Sequence, residues 1–132
     1  MVWLFSLGFL FSGWKPGIYL SITLCWALPA IFPQLLFGAD ILWKQRRLVF
    51  LVILPTSLYL SLIDIAALQA GTWSISADQT TGLLFFGLLP LEEVVFFFIT
   101  NIMIGFGMTL MLSQLSQQRM TDWRRRGLRG WP

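Results

Sequence analysis

Apolar residues fall along this chain in long blocks. Three of them, Ile18 to Gly38, Leu48 to Ala70 and Gly82 to Leu112, are long enough to cross a hydrocarbon core, which takes roughly 20 residues at about 1.5 Å of helical rise apiece. If helical throughout, the third block is about 46 Å long, more than a ~30 Å core requires, so it must tilt, kink or run into the interface. Pro90 is the expected position of a kink. A shorter apolar stretch, Val2 to Trp14, lacks the basic start and small-residue cleavage site of a signal peptide, and it reads as interfacial or as a partial fourth span. The expected fold is all-α and integral to the membrane. Residues 1–132 form one domain of three transmembrane helices, the third kinked at a proline, with a short N-terminal segment (1–17) and a basic tail (113–132).

Composition agrees with that pattern. The 132 residues are 57% hydrophobic and only 11% charged, with a mean hydropathy of +0.76, too apolar for a soluble domain. Cys25 is the sole cysteine, so no intrachain disulfide can form, and histidine is absent. The usual zinc, haem and thiolate sites therefore lack a ligand set; no metal and no cofactor are expected, and acid–base chemistry falls to Asp, Glu or Tyr. The first connection carries Lys44, Arg46 and Arg47, the second (Gly71 to Thr81) carries no basic residue, and the tail carries Arg119, Arg124, Arg125, Arg126 and Arg129. By the positive-inside rule the first connection and the C-terminus are cytoplasmic in a multi-pass protein of the cell membrane. Trp73 then sits at the opposite interface. The basic tail reads as a contact with anionic lipid rather than nucleic acid.

Against this background, the stretch LPLEEVVFFF (89–98) is anomalous: it sets Glu92 and Glu93 inside the third block, while Asp64 lies late in the second. By helical rise Asp64 is about 9 Å, and the glutamates about 15 Å, from the outer ends of their spans. A charged carboxylate near the bilayer centre costs on the order of 2.5–3.5 kcal/mol, so such groups are protonated, paired or turned to a cavity. Neither span holds Lys or Arg. Protonation or mutual hydrogen bonding is left, and a protonated carboxyl is a proton donor. Adjacent helical residues point about 100° apart, so Glu92 and Glu93 have different tasks; one of them also suits a helix restarted after Pro90. Pro90 would free a carbonyl one turn back, at Phe86. Aromatic residues crowd this zone: Phe85, Phe86, Phe96, Phe97 and Phe98, with Trp73 at the mouth and Trp26 on the first span. Most are expected to face lipid, and those directed inward would stabilise positive charge on a hydrocarbon. Asn101 is expected to hydrogen-bond another helix. Gly105 and Gly107 permit close approach without forming a small-xxx-small repeat.

The order Asp64-Ile65-Ala66-Ala67, Gly71-Thr72-Trp73, Thr81-Gly82, then Leu89-Pro90-Leu91-Glu92-Glu93 with Phe96-Phe97-Phe98 and Thr100-Asn101, resembles the small membrane-embedded lycopene cyclase domain. The likeness is strong from about Leu60 to Gly107. Over the first span it rests on Pro29, Pro33 and the Arg46-Arg47 pair. That family occurs as two short homologous subunits forming a heterodimer in bacteria, and as fused tandem copies in archaea and fungi. The resemblance implies a non-redox, acid-catalysed conversion of the linear ψ-ends of lycopene, or a similar acyclic carotenoid, into six-membered rings. It implies Glu92 or Glu93 as the acid, with the order open, and Asp64 as a second carboxyl that relays or orients the proton. Trp73, Phe96, Phe97 and Asn101 are then the expected substrate-binding residues. A single copy of the pattern is present, which implies a homologous partner subunit or self-association. Gly-x-Gly-x-x-Gly is missing, so the flavin-binding cyclases are not the match. The alternative is a non-catalytic membrane subunit or a small proton-relay protein, for which ionisable groups stepped across the bilayer are expected.

Overall fold

The structure, a computed structural model, describes residues 7–8, 11, 15–75 and 79–129. Apart from residues 7, 8 and 11, the opening stretch Val2 to Trp14 lies outside the described residues. After one 3-10 turn (Lys15–Gly17) come α1 (Ile18–Lys44), α2 (Arg46–Gln69), a hairpin of β1 (Leu84–Phe85) and β2 (Leu89–Pro90), α3 (Leu91–Leu112) and α4 (Gln114–Arg129). By length and composition α1, α2 and α3 can each cross a membrane, and the chain is an all-α multi-pass membrane protein. Helix α3 is the centre of the bundle: it packs along both α1 and α2, which touch each other sparingly.

The expected kink at Pro90 is not present, because the third helix begins at Leu91. Pro90 has φ −54° and ψ 138°, extended backbone that cannot belong to a helix but suits the residue before one, and it has no N–H to lose there. Residues 83–90 instead fold into the hairpin, with Leu84 opposite Pro90 and Phe85 opposite Leu89. Its turn places Phe86 at φ 53° and Gly87 at φ 69°, and the Leu88 N–H donates to the Phe85 carbonyl at 3.2 Å. Two successive positive φ values make a type I′ turn. The Phe86 carbonyl is thus a turn carbonyl, not one freed within a helix.

Helix α1 bends at Gly38 (φ −153°, ψ 35°), not at Pro29 or Pro33. The side chain of Leu110, on α3, stands where a Cβ on Gly38 would point. The twenty residues before the break span about 30 Å, which matches the hydrocarbon thickness. Near the basic loop, Ile41, Leu42, Val49, Ile53 and Leu110 form the buried core, backed by Phe37, Phe98, Ile102 and Phe106. Lipid tails are as apolar as these side chains, so close packing holds the helices together here. Gly105 brings α3 against α2, where an added Cβ would lie 3.1 Å from Ile53 Cγ1, while Gly107 faces Gln34 of α1. Two residues and about 200° apart, the glycines serve opposite sides of the central helix.

Ser113 is extended (φ −73°, ψ 126°) and ends α3. Helix α4 then folds back beside the end of α1. Arg119 donates through Nη1 to the Phe37 carbonyl at 2.5 Å and to Asp40 at 3.0 Å, and through Nη2 to Asp40 at 2.6 Å. The Trp123 ring meets Phe37 edge-on at 5.7 Å.

Candidate active site

The buried residues of α2 are Val49, Ile53, Ser57, Ser61 and Asp64, one helical stripe whose C-terminal half is polar. Ser61 donates to the Ser57 carbonyl at 2.9 Å, which returns its hydroxyl to its own helix, whereas the Asp64 side chain projects at the end of the stripe. The helix ends at Gln69 in a Schellman cap: Gly71 takes φ 68°, its N–H donates to the Leu68 carbonyl, and the Thr72 N–H donates to the Ala67 carbonyl. This turn carries the next residue back over the helix end, where the Trp73 side chain donates a hydrogen bond to Asp64.

The hairpin positions the glutamates. Leu89 and Pro90 are buried, and the Leu91 N–H donates to the Leu83 carbonyl at 2.8 Å, which fixes the start of α3. Glu92 and Glu93 therefore occupy the first helical turn, at the N-terminal end of the helix rather than about 15 Å along the third apolar block. Asp64, near the end of the antiparallel α2, lies at a comparable level. Glu92 is 1% exposed, and its Oε1 accepts from both the Thr81 N–H and the Thr81 hydroxyl, each at 2.6 Å. Those bonds close the loop before the hairpin onto the helix. Glu93 turns the other way, toward α1, and is hydrogen-bonded to the Tyr19 phenol. It lies within electrostatic range of Asp64 and Glu92, and Tyr19 within range of all three carboxyls.

Two carboxyl oxygens at this end, Oδ2 of Asp64 and Oε2 of Glu92, are buried without a hydrogen-bond partner among the described residues. Such atoms ordinarily cost free energy and mark places where chemistry or strain is held. One turn further along α3, Phe96 and Phe97 are half-buried and in edge contact at 5.7 Å, and Phe96 meets Trp26 of α1 at 6.4 Å. The Asn101 amide N–H donates to the Phe97 carbonyl one turn back at 2.8 Å, a bond within its own helix rather than the expected one to another helix.

Asp64, Glu92, Glu93 and Trp73 are thus brought together, with the Phe96–Phe97 wall beside them and Asn101 farther down the same helix. Tyr19 does not figure in the sequence pattern, and Thr81 figures in it only through the Thr81-Gly82 pair, not as a partner of Glu92. Thr81 precedes Glu92 by 11 residues across a hairpin, a link that local spacing does not reveal. Tyr19 had one signal, a phenol at the start of an apolar span in a chain without histidine.

The chain is similar to proteins that bear on this arrangement. It is 35% identical over 101 residues to a lycopene beta-cyclase of Halobacterium salinarum, covering 76% of this chain and 42% of that protein. It is 40% identical over 96 residues to a bifunctional lycopene cyclase/phytoene synthase of Podospora anserina, covering 72% of this chain and 16% of that one. A protein of the same description from Blakeslea trispora is 36% identical over 92 residues, 70% of this chain and 15% of its own. The chain spans less than half the length of each of these relatives. No family model matches it. No solved structure matches it either.

Proposed function

Because the chain belongs to the lycopene cyclase domain family, we propose that it cyclises the linear ψ-end groups of lycopene or a similar acyclic carotenoid to six-membered ionone rings, an isomerisation without net redox change. The observation that carries this reading is the convergence of Asp64, Glu92 and Glu93 with Tyr19 at one end of the bundle, beside the aromatic wall and, among the described residues, without a basic side chain hydrogen-bonded to any of the three. Glu93 is the acid. Its carboxyl proton forms a new C–H bond at the terminal alkene, leaving a tertiary cation. The neighbouring alkene supplies the electron pair that closes the ring, and the cation moves to a ring carbon. Asp64, oriented by Trp73, takes a proton from the adjacent ring carbon, and the released pair becomes the ring double bond. One proton enters the carotenoid and one leaves it, and return of that proton from Asp64 to Glu93, which lie within electrostatic range of each other, restores the starting pair. Glu92, engaged by Thr81, anchors the loop instead of reacting. The ring faces of Phe96 and Phe97 stabilise the cation.

The active unit is a pair, formed with a homologous subunit or a second copy, in a cell membrane with the first connection and α4 on the cytoplasmic side. A proton-relay protein is the weaker reading, since three of the four described carboxyls of the spans, Asp64, Glu92 and Glu93, gather at one end, and the fourth, Asp40, lies at the other end paired with Arg119, with none stepping between. The deciding experiment expresses the whole chain in a lycopene-accumulating host, with and without a homologous subunit, and separates the pigments by chromatography. Cyclic product in at least one pairing is expected; acyclic pigment in all of them would sink the proposal.

A further inference from the structure

At the basic end of the bundle, α2 and α3 diverge around a groove of about 860 Å3 that is open to the lipid side. Its rim is polar: Lys44, Gln45 and Gln114. Below the rim its walls are apolar, with Leu48 and Val52 from α2 and Ile104, Met108 and Leu112 from α3. All five of these apolar residues are exposed. From Leu112 near the rim to Ile104 the wall descends about 12 Å, enough for a substantial length of acyl chain. The approach of Gly105 to Ile53 sets the floor.

The rim carries uncompensated positive charge. Asp40, the acid one turn before Lys44, is engaged by Arg119, and among the described residues no carboxylate lines the groove. Arg46 and Arg47 follow directly. Trp43 is 71% exposed, with the Arg46 guanidinium 5.2 Å from its ring centre; an exposed indole beside cations marks headgroup level. Helix α4 adds Arg124, Arg125 and Arg126 against Asp122 alone.

We propose that this groove is a binding site for one anionic phospholipid, its phosphate held by Lys44 at the rim and one acyl chain laid along Ile104, Met108 and Leu112. The charge at the rim selects the occupant. A second protein surface would have to bring a carboxylate to Lys44, since burying the ammonium unpaired is costly, whereas a phospholipid carries its anion next to its acyl chain; a free phosphate has no use for the apolar wall. The site lies at the opposite end of the bundle from the carboxyl cluster and does not depend on the catalytic reading.

The test uses the full chain in neutral detergent, titrated with phosphatidylglycerol or phosphatidylcholine, with lipid retention read by native mass spectrometry. One phosphatidylglycerol per chain is expected, with an affinity at least about fivefold above phosphatidylcholine, the effect of one cation near a headgroup. Lys44→Gln removes that preference, whereas Met108→Trp, which fills the apolar wall, weakens both lipids. The triple change Arg124→Gln, Arg125→Gln, Arg126→Gln leaves the one-to-one retention intact. The proposal is overturned by equal affinity for the two lipids, by as large a loss in the tail triple as in Lys44→Gln, or by displacement of the lipid with inorganic phosphate. Copies cross-linked through Met108→Cys at the same lipid content would equally overturn it, in favour of a protein occupant.

Discussion

Glu92 and Glu93 are separated by one peptide bond and about 100° of helical rotation, and that rotation gives them different neighbours: Thr81 donates twice to one, Tyr19 once to the other. The difference separates stability from turnover. Glu92→Gln keeps an acceptor oxygen for Thr81 but puts an amide NH2 where the buried Oε2 has no hydrogen-bond partner among the described residues, so the melting temperature in detergent should fall, by about 1–3 kcal/mol of stability, while cyclised pigment persists. Glu93→Gln should leave the melting temperature within error and lower the pigment yield at least ~100-fold. The reverse outcome would exchange the two assignments. Tyr19→Phe removes one hydrogen bond to the acid and should slow cyclisation roughly tenfold, measured against an unchanged amount of protein in the membrane. Helix geometry alone excluded equal roles for the glutamates. The assignment itself needed Thr81 and Tyr19, which reach the pair from other elements.

At the scale of elements, the three spans were legible because an apolar block of about 20 residues has few alternatives in a bilayer. The start of the third was not. Leu83 to Leu88 is as apolar as the helix after it, and its turn is made by Phe86-Gly87 instead of the Asn-Gly or Asp-Gly pair that usually advertises a type I′ hairpin. The backbone thus holds a bulky residue at positive φ, a sparsely populated conformation that persists only where its surroundings fix it. The glycines of α3 were legible as permissive and illegible as contacts, because their partners, Ile53 and Gln34, stand on separate helices. Gly105→Ala should cost about 1 kcal/mol or more by pressing on Ile53. Ile53→Val in the same chain should recover part of that loss, and a double-mutant cycle of melting temperatures should give a coupling above about 0.5 kcal/mol. Purely additive losses would place the strain elsewhere.

At the scale of the whole molecule, the arrangement of charge predicts its orientation. In a chain carrying Cys25→Ala, an impermeant maleimide should label Ser74→Cys in intact cells and Gln118→Cys only after lysis, since the two exposed positions lie at opposite ends of the bundle; the opposite pattern would invert the topology. Loss of the Arg119–Asp40 pair should free α4, so that Asp40→Asn speeds tryptic cleavage at Arg124 to Arg126 relative to the parent chain. The central place of α3 also bears on how the protein is made. The first two spans emerge with little surface for each other, and the stripe Ser57, Ser61, Asp64 then has no neighbouring helix to cover it. Until the last span arrives, the nascent chain holds two helices in the bilayer with an uncovered acid, the state that translocon-associated chaperones and membrane proteases survey. Assembly is therefore decided late in synthesis, and a chain ending before Leu91 should be cleared instead of accumulating.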